Sequence, residues 1–228
     1  MIDLAGNNRD WWPEFHGGTV AILASGPSMT RAQCDLVRET QWTAVAINET
    51  WRLAPWAHIL YGCDWQWWAE RAPARAEFDG LRVTGTVPKS NNRPHLPKAM
   101  EWQAALLNFI PVRSGSAVPL WKGPHVGAGS NSAFQVANWV ARCGAKRIVL
   151  LGVDCHSPNS HWHAAHGHPG AWAQKPNLMG SWMQAWKNAE PEFKKRGICV
   201  MNCSPGSALT VFPRASIEWM TENSDACE

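Results

Sequence analysis

Five of the nine histidines fall in one short segment, residues 156–168. An imidazole titrates near neutral pH, so it can act as a general acid or base, and its nitrogens also bind metal ions. The spacing of His161, His163 and His166 leaves three interpretations open: a catalytic base on a loop, a metal site, or a polar surface loop. We favour the base and assign no metal ligand. Asp154, just before the segment, could orient an imidazole or complete a metal site.

Small polar residues follow five short apolar runs of the chain. They are Ser25–Ser28, Asn48, Asp64, Asp154 and residues 202–204. Such runs indicate strands buried on both faces, and parallel strands end at the same edge of a sheet, where ligands bind. Each residue alone suits an ordinary turn or helix cap. Together they predict a ligand-binding crevice at that edge.

Two glycine-containing turns precede predicted helices. Ser25-Gly26-Pro27-Ser28 comes before a helix over residues 30–38, and Gly129-Ser130-Asn131-Ser132 opens a helix over residues 132–143. Glycine permits close backbone approach, and a helix N-terminus favours an anion. Neither turn is a P-loop or a G-x-G-x-x-G fingerprint. Two such turns on one sheet are typical of a site for a nucleotide, with its phosphate and polar head.

Tryptophan is unusually frequent, with 16 residues against 6 phenylalanines and 1 tyrosine in 228. Indole rings either pack in a core or stack on a flat ligand. Tryptophans on the two long predicted helices are expected in the core. Trp65, Trp68 and Trp162 flank predicted strand ends, so we expect them to contact an acceptor substrate.

The predicted elements alternate between strand and helix. Strands are expected over residues 19–24, 43–47, 58–62, 81–84, 146–152 and 198–202, with helices over 30–38, 65–74, 132–143 and 178–196. This alternation predicts a single α/β, Rossmann-like domain over residues 1–228, with a mainly parallel sheet and helices on both faces. Residues 85–128 are expected to form an irregular insertion, with a short helix or strand near 100–112, and residues 155–176 a histidine-rich lid loop.

The composition and charge of the chain exclude few classes of function. The net charge of +3 neither demands nor excludes a nucleic-acid partner. No apolar run approaches the roughly 20 residues of a membrane span, and the N-terminus lacks a signal-peptide pattern, so we expect no membrane association and a cytoplasmic location. The seven cysteines are expected to be buried, reduced thiols. The pair Cys199 and Cys203, without a second pair, is a weak zinc signal.

An ordered set of motifs resembles a known superfamily. Ala24-Ser25-Gly26-Pro27-Ser28, Ala46-Ile47-Asn48, Asp64 and Ser130-x-x-Ala133…Gly144-x-x-x-Ile148-x-Leu150-x-Gly152-x-Asp154 follow one another in the chain. The set is similar to the superfamily that joins bacterial sialyltransferase-like glycosyltransferases to archaeal 6-hydroxymethylpterin pyrophosphokinase-like proteins. It also resembles small phage and prophage proteins that carry this domain. The likeness covers roughly residues 19–155, with gaps.

The resemblance implies a Rossmann-like domain that binds a nucleotide-activated donor, with a lid histidine as general base. One departure concerns the leaving phosphate, which those enzymes hold with lid tyrosines. The only tyrosine here, Tyr61, lies inside a predicted strand, so either Lys175 or a further histidine serves instead, or the donor or the reaction differs. The candidate nucleotide-binding residues are Ser25, Gly26, Pro27, Ser28, Asn48, Asp64, Gly129, Ser130, Asn131, Ser132 and Gly152.

We therefore predict a transferase that uses a nucleotide-sugar donor, most simply a glycosyltransferase, with a modified base of phage DNA as one acceptor class. Two alternatives stay open. One is a pyrophosphokinase-like enzyme that uses ATP and Mg²⁺ through Asp64 and Asp154. The other is a non-catalytic nucleotide-binding phage protein. The oligomeric state is not predicted.

Overall fold

The computed structural model describes residues 9–85, 107–156, 161–163 and 177–223. The strands in these residues are β1 (Thr19–Leu23), β2 (Thr43–Ile47), β3 (Ile59–Gly62), β4 (Leu81–Thr84), β5 (Leu107–Phe109), β6 (Val112–Arg113), β7 (Val126–Gly127), β8 (Arg147–Leu151) and β9 (Cys199–Asn202). Seven of them form one sheet in the order β5-β4-β3-β2-β1-β8-β9, and every neighbouring pair is parallel. Strands β6 and β7 form a separate short parallel pair.

The helices lie between the strands along the chain. They are α1 (Arg31–Arg38), α2 (Trp65–Glu70), α3 (Ala72–Glu77), α4 (Ser132–Arg142), α5 (Leu178–Lys194) and α6 (Ile217–Glu222), with a 3-10 helix at Asn48–Arg52 after β2. The predicted start of α1 is confirmed, because the Thr30 side chain accepts a hydrogen bond from the Gln33 amide and Gln33 reciprocates. The chain has the predicted Rossmann-like α/β fold.

Alternate residues of the central strands supply two separate cores. Val20 and Ile22 of β1 point into one core, and Ala21 and Leu23 point into the other. Helices α4 and α5 cover the first core, while α1, α2 and α6 cover the second. Both faces of β1 are therefore shielded, which explains why its sequence is a continuous apolar run.

The prediction of one helix over residues 65–74 is wrong, because two helices lie there. The helix that begins at Trp65 breaks at Arg71, which has φ −113° and ψ 66°, and Pro73 lies in the first turn of the following helix α3. Proline suits that position because the first-turn amides of a helix have no partner within the helix. Pro73 therefore begins a second helix instead of ending the first.

The second half of the expected insertion belongs in part to the main sheet. Strand β5 pairs with β4 through Arg82 and Leu107, so it forms an edge of the sheet. Residues 86–106, the rest of that expected insertion, lie outside the described residues. The loop that follows β6 is held by Asn138 of α4, which is fully buried. Its Oδ1 accepts from the amides of Leu120 and Gly127, both at 2.9 Å, and its Nδ2 donates to the Leu120 carbonyl.

The cysteines depart from expectation at one position. Cys199 is disulfide-bonded, so the expectation of reduced thiols is wrong there. Five others are free thiols, and burial raises the pKa of each of them to about 12. Within the described residues, no helix has the length and apolar character that crossing a membrane requires.

Replacing Asn138 with alanine should lower the free energy of unfolding by about 3 kcal/mol, because two buried amides would lose their acceptor. Urea denaturation measures the change. Asn188→Ala is the matched control, since Asn188 donates to the Ala117 carbonyl of the same loop from a more exposed helix position. We expect a loss below about 1 kcal/mol for that control. Equal losses for the two variants would contradict the role assigned to Asn138.

Candidate functional site

The carboxyl ends of β1, β2 and β8 meet at one place, as the sequence predicts. The Ser25 hydroxyl donates to the Ile47 carbonyl at 3.0 Å, which joins the end of β1 to the end of β2. Gly26 joins β1 to β8, because its amide donates to the Gly152 carbonyl at 2.8 Å. Ser25 is only 8% exposed, and its buried side chain connects the ends of β1 and β2.

The carboxylate of Asp154 lies in the turn at Ser25–Ser28. The Ser28 amide donates to Oδ2 of Asp154 at 3.3 Å, the Gly26 amide is bonded to Gly152, and Pro27 has no amide hydrogen. Asp154 is 5% exposed and lies so close that a Cβ at position 26 would be 1.9 Å from its Oδ2. This pairing argues against the turn as a phosphate cradle. The requirement for glycine here comes from Asp154 and the Gly152 carbonyl.

Asp154 is itself held by the loop after β9. Its carbonyl accepts from the Ala208 amide at 2.8 Å and from the Ser207 hydroxyl at 3.3 Å. The Ser204 hydroxyl accepts from the Val153 amide at 2.9 Å. The hydrogen bond of the Asp154 carboxylate goes to a backbone amide, not to a described imidazole, so Asp154 shapes the turn and the expected orienting role is not seen. The contact of Ser207 with Asp154 spans 53 residues, beyond the reach of a local motif.

His161, Trp162 and His163 pack over this junction. The Ser25 carbonyl accepts two hydrogen bonds, one from the Trp162 amide and one from His161 Nδ1, both at 3.2 Å. The Trp162 indole N–H donates to the Thr50 hydroxyl at 3.1 Å. Through these two hydrogen bonds, Trp162 connects the end of β1 to the 3-10 helix that follows β2. His166 and the remainder of the expected lid, residues 157–160 and 164–176, lie outside the described residues.

The state of His161 follows from these contacts. Because a carbonyl can only accept, the proton of the ring is on Nδ1, and Nε2 carries the lone pair. Partial burial lowers the pKa of His161 below its ordinary value of 6.5, and the neighbouring His163 lowers it further. The two rings are stacked, with centroids 5.1 Å apart and planes 4° from parallel. His161 is therefore a neutral imidazole near pH 7, as a general base must be.

The second glycine turn is tightly built. Gly129 has φ +50°, and a Cβ there would be 2.2 Å from the Phe134 ring; Ser130, with φ +57°, is exposed. Asn131 caps α4, as its Oδ1 accepts from the Phe134 amide at 2.8 Å. Ser132 is the first residue of α4 and is half-buried. The turn before α4 therefore has positive φ at two consecutive residues, Gly129 and Ser130.

Two buried polar atoms near these turns have no hydrogen-bond partner among the described residues. They are the Ser28 hydroxyl and the Asn131 side-chain nitrogen. An unsatisfied buried donor is costly, and such groups call for a ligand or a water. Asn48 adds strain at the same edge, with φ +50° directly after β2. Strained backbone of this kind is concentrated at functional sites.

The expected acceptor contacts are not equivalent. Trp68 is fully buried and donates to the Gly62 carbonyl at 2.9 Å, so it is a core residue with no indole face for a ligand. Trp65 is half-buried, and Asp64, just before it, is exposed at the start of α2, although partial burial of its carboxyl raises its pKa. Trp162 already uses its N–H on Thr50. Trp65 and Trp162, both half-buried, stay candidates for the predicted acceptor contact.

A buried ion pair lies beside Asn48 that the sequence pattern did not predict. Glu49 is 6% exposed, and its carboxylate accepts from Arg71 Nε at 2.6 Å and from Trp67 Nε1 at 3.2 Å. The partners are 18 and 22 residues away, beyond any local motif. The ion pair fixes the 3-10 helix after β2 against the break between α2 and α3, and so fixes the position of Asn48.

Tyr61, in β3, is connected to the second glycine turn by hydrogen bonds through Gln135. Its hydroxyl donates to Gln135 Oε1 at 2.8 Å, and Gln135 Nε2 donates to the Ala128 carbonyl at 3.0 Å. Burial raises the pKa of Tyr61 well above its ordinary value. Being 1% exposed, Tyr61 cannot reach a leaving phosphate. Its part is to position residues 128–131 against β3.

Comparison with solved structures places the fold. The sialyltransferase CstII from Campylobacter jejuni, solved in complex with a substrate analogue, cytidine-5'-monophosphate, matches 88% of this chain and 86% of its own. The TM-score is 0.50 and the sequence identity 13%. The two chains share a fold. No protein-family model and no curated protein matches this chain.

The described residues do not form a recognisable metal-binding cluster. No group of three or more histidine, cysteine, aspartate or glutamate side chains within them could hold one. Asp64 and Asp154, the carboxylates considered for Mg²⁺, follow β3 and β8, which are separated in the sheet by β2 and β1. The geometry of the described residues thus gives no specific support to the pyrophosphokinase alternative.

Replacing His163 with glutamine should raise the pKa of His161, because a neighbouring imidazole that can become charged disfavours protonation of His161. NMR titration of the His161 ring measures it. Since the folded pKa of His161 is lowered, the native protein should lose stability as the pH falls below about 6.5, where the unfolded chain takes up the proton more readily. The loss should be smaller in the variant. An unchanged His161 pKa would contradict the coupling.

Gly26→Ala should destabilise the fold by about 3 kcal/mol, because the new Cβ would overlap Asp154 Oδ2 and the Gly152 carbonyl. Gly206→Ala is the control: Gly206 has φ +68° but nothing within 4 Å of its Cβ position, so only backbone strain of about 1 kcal/mol is expected. Thermal and urea unfolding compare them. Similar losses would show that crowding at position 26 is unimportant.

Proposed function

We propose that the protein is a transferase that uses a nucleotide-activated sugar donor, and that His161 is its general base. The observation that carries the proposal is the state of His161: a neutral ring, with Nδ1 fixed on the Ser25 carbonyl, at the edge of the sheet where ligands bind in this fold class. The fold shared with a sialyltransferase that binds cytidine-5'-monophosphate supports the donor class.

The nucleotide would lie between the two glycine turns. The Ser28 hydroxyl and the Asn131 side-chain nitrogen are buried donors with no partner among the described residues, and a ligand oxygen would satisfy both. The accessible side chains of Asn48 and Ser130 lie at the same edge. Because Asp154 occupies the first turn, we assign the phosphate to the N-terminus of α4, where amide dipoles favour an anion.

The reaction follows from this placement. The acceptor hydroxyl oxygen forms a bond to the anomeric carbon of the donor, and its proton passes to Nε2 of His161. The bond from that carbon to the phosphate oxygen breaks, and its electron pair leaves with the nucleotide. General-base assistance of this type contributes about 10²- to 10⁴-fold to a rate. Partial burial, and after it the stacked His163, lowers the pKa of His161 and so keeps the ring neutral before the proton arrives.

A binding experiment tests the nucleotide site. Titration calorimetry with cytidine-5'-monophosphate should show binding to the wild type and a loss of about tenfold or more in Asn131→Asp. Aspartate keeps the capping oxygen of α4 but removes the buried donor, so the fold should survive. Asn188→Asp, on the exposed face of α5, is the control. Absence of binding to this and every other nucleotide tested would refute the proposal.

A turnover experiment tests the base. Release of nucleotide from a panel of nucleotide sugars is followed with a panel of simple sugars and with hydroxymethylated DNA as acceptors. His161→Gln should lower kcat about 10²-fold or more with KM little changed, whereas His125→Gln, far from Ser25 in the loop before β7, should not. Nucleotide binding without turnover in the wild type would favour the non-catalytic alternative.

A further inference from the structure

A groove of about 850 Å³ lies at the other edge of the sheet, away from the candidate site. It is lined by seven residues of the segment that leads into β1 and by three at the end of α4: Arg9, Asp10, Trp12, Pro13, Glu14, His16, Gly17, Arg142, Cys143 and Gly144. Helix α4 runs from one edge to the other, so its 11 residues separate the groove from the turn at Asn131 by about 16 Å. The volume suits a small molecule.

Two arginines converge in this groove. The guanidinium of Arg142 lies 4.8 Å from the ring centroid of Trp12, and that of Arg9 lies 5.4 Å from the same ring. Both donate to one backbone oxygen, the Gly123 carbonyl, and Arg142 also donates to the His125 carbonyl at 2.6 Å. The carbonyl dipoles and the indole face solvate the two cations, but they bring no negative charge.

Neither guanidinium in the groove is paired with a carboxylate of the described residues. Within the part of the chain that the structure describes, no carboxylate oxygen lies within 4.0 Å of either guanidinium. Burial lowers the pKa of Arg142, and the like charge of Arg9 lowers it further. Like charges that share one oxygen repel each other, and an oxyanion bound between them would remove that cost.

The rim of the groove has a different chemistry. His16 Nε2 lies 3.8 Å from a carboxylate oxygen of Glu14, and each side chain is 80% exposed. Asp10 is exposed as well. These carboxylates disfavour a polyanion such as nucleic acid, yet they are good acceptors for hydroxyl groups. The half-buried Trp12 adds an apolar face.

We propose that this groove binds a sugar that carries one acidic group, a carboxylate or a phosphate. The oxyanion contacts Arg142 and Arg9, and the hydroxyls donate to the rim carboxylates. Each guanidinium has five N–H donors, and the bonds described above use two of Arg142 and one of Arg9, so donors remain for the ligand. The proposal is independent of the chemistry at His161.

A matched series of sugars tests the groove. Glucose, glucuronate and glucose 6-phosphate differ only at the sixth carbon, and each is titrated into the full chain while the arginine Nε–H and indole N–H signals are followed by NMR. We expect both acids to bind at least about tenfold more tightly than glucose, and Arg142→Gln to remove that difference. Arg31→Gln is the control, since Arg31 also donates to two backbone carbonyls, those of Arg52 and Leu53, outside the groove.

Further measurements keep the outcomes distinct. Arg142→Gln must retain its circular dichroism spectrum and its affinity for cytidine-5'-monophosphate; if it does not fold, the exposed Arg9→Gln replaces it. Equal binding of glucose and the two acids would overturn the proposal, as would acid binding that survives both arginine substitutions. Inorganic phosphate that binds as tightly as glucose 6-phosphate would overturn the assignment of a sugar. Arginine-dependent binding of a single-stranded DNA oligonucleotide, without sugar binding, would overturn it in favour of nucleic acid.

Discussion

At the carboxyl edge of the sheet, the placement of His161 and Trp162 depends on a single backbone oxygen, the carbonyl of Ser25. It accepts from the amide of Trp162 and from the ring of His161, so one atom fixes both the loop and the tautomer of the candidate base. A side-chain substitution cannot remove this acceptor. Only displacement of β1 can, and β1 is held by β2 on one side and β8 on the other. The chemistry of the imidazole thus rests on the rigidity of the sheet.

Charge is arranged differently at the two ends of α4. At the carboxyl edge the protein supplies its own anion, Asp154, and keeps His161 neutral by partial burial. At the amino edge two guanidinium groups approach one indole without a described carboxylate beside them. A helix favours anions at its N-terminus and cations at its C-terminus. Arg142, in the last turn of α4, therefore lies where the helix stabilises a positive charge.

Much of the fold can be predicted from local sequence, because buried parallel strands and helix caps are local patterns. Strands β2 and β4 and the cap at Thr30 have the predicted positions. The candidate site is harder to predict, because the contacts that shape it join residues far apart in sequence. Asp154 and Ser28, which are hydrogen-bonded, are 126 residues apart. Trp68 shows the same limit. Its position after a strand end suggests a ligand, but the direction of its side chain, into the core, depends on where α2 packs.

The position of β1 in the sheet has a consequence for how the chain reaches its native state. Its neighbour β2 follows after a short crossover, but its other neighbour, β8, pairs Thr19 with Arg147, 128 residues later. Closing so long a loop makes folding slow, because the entropy is lost before the contacts form. During synthesis, strands β1 to β4 can assemble while one side of β1 is still bare. That unpaired edge exposes backbone N–H and C=O groups until β8 leaves the ribosome, so chaperone dependence should be greatest in this interval.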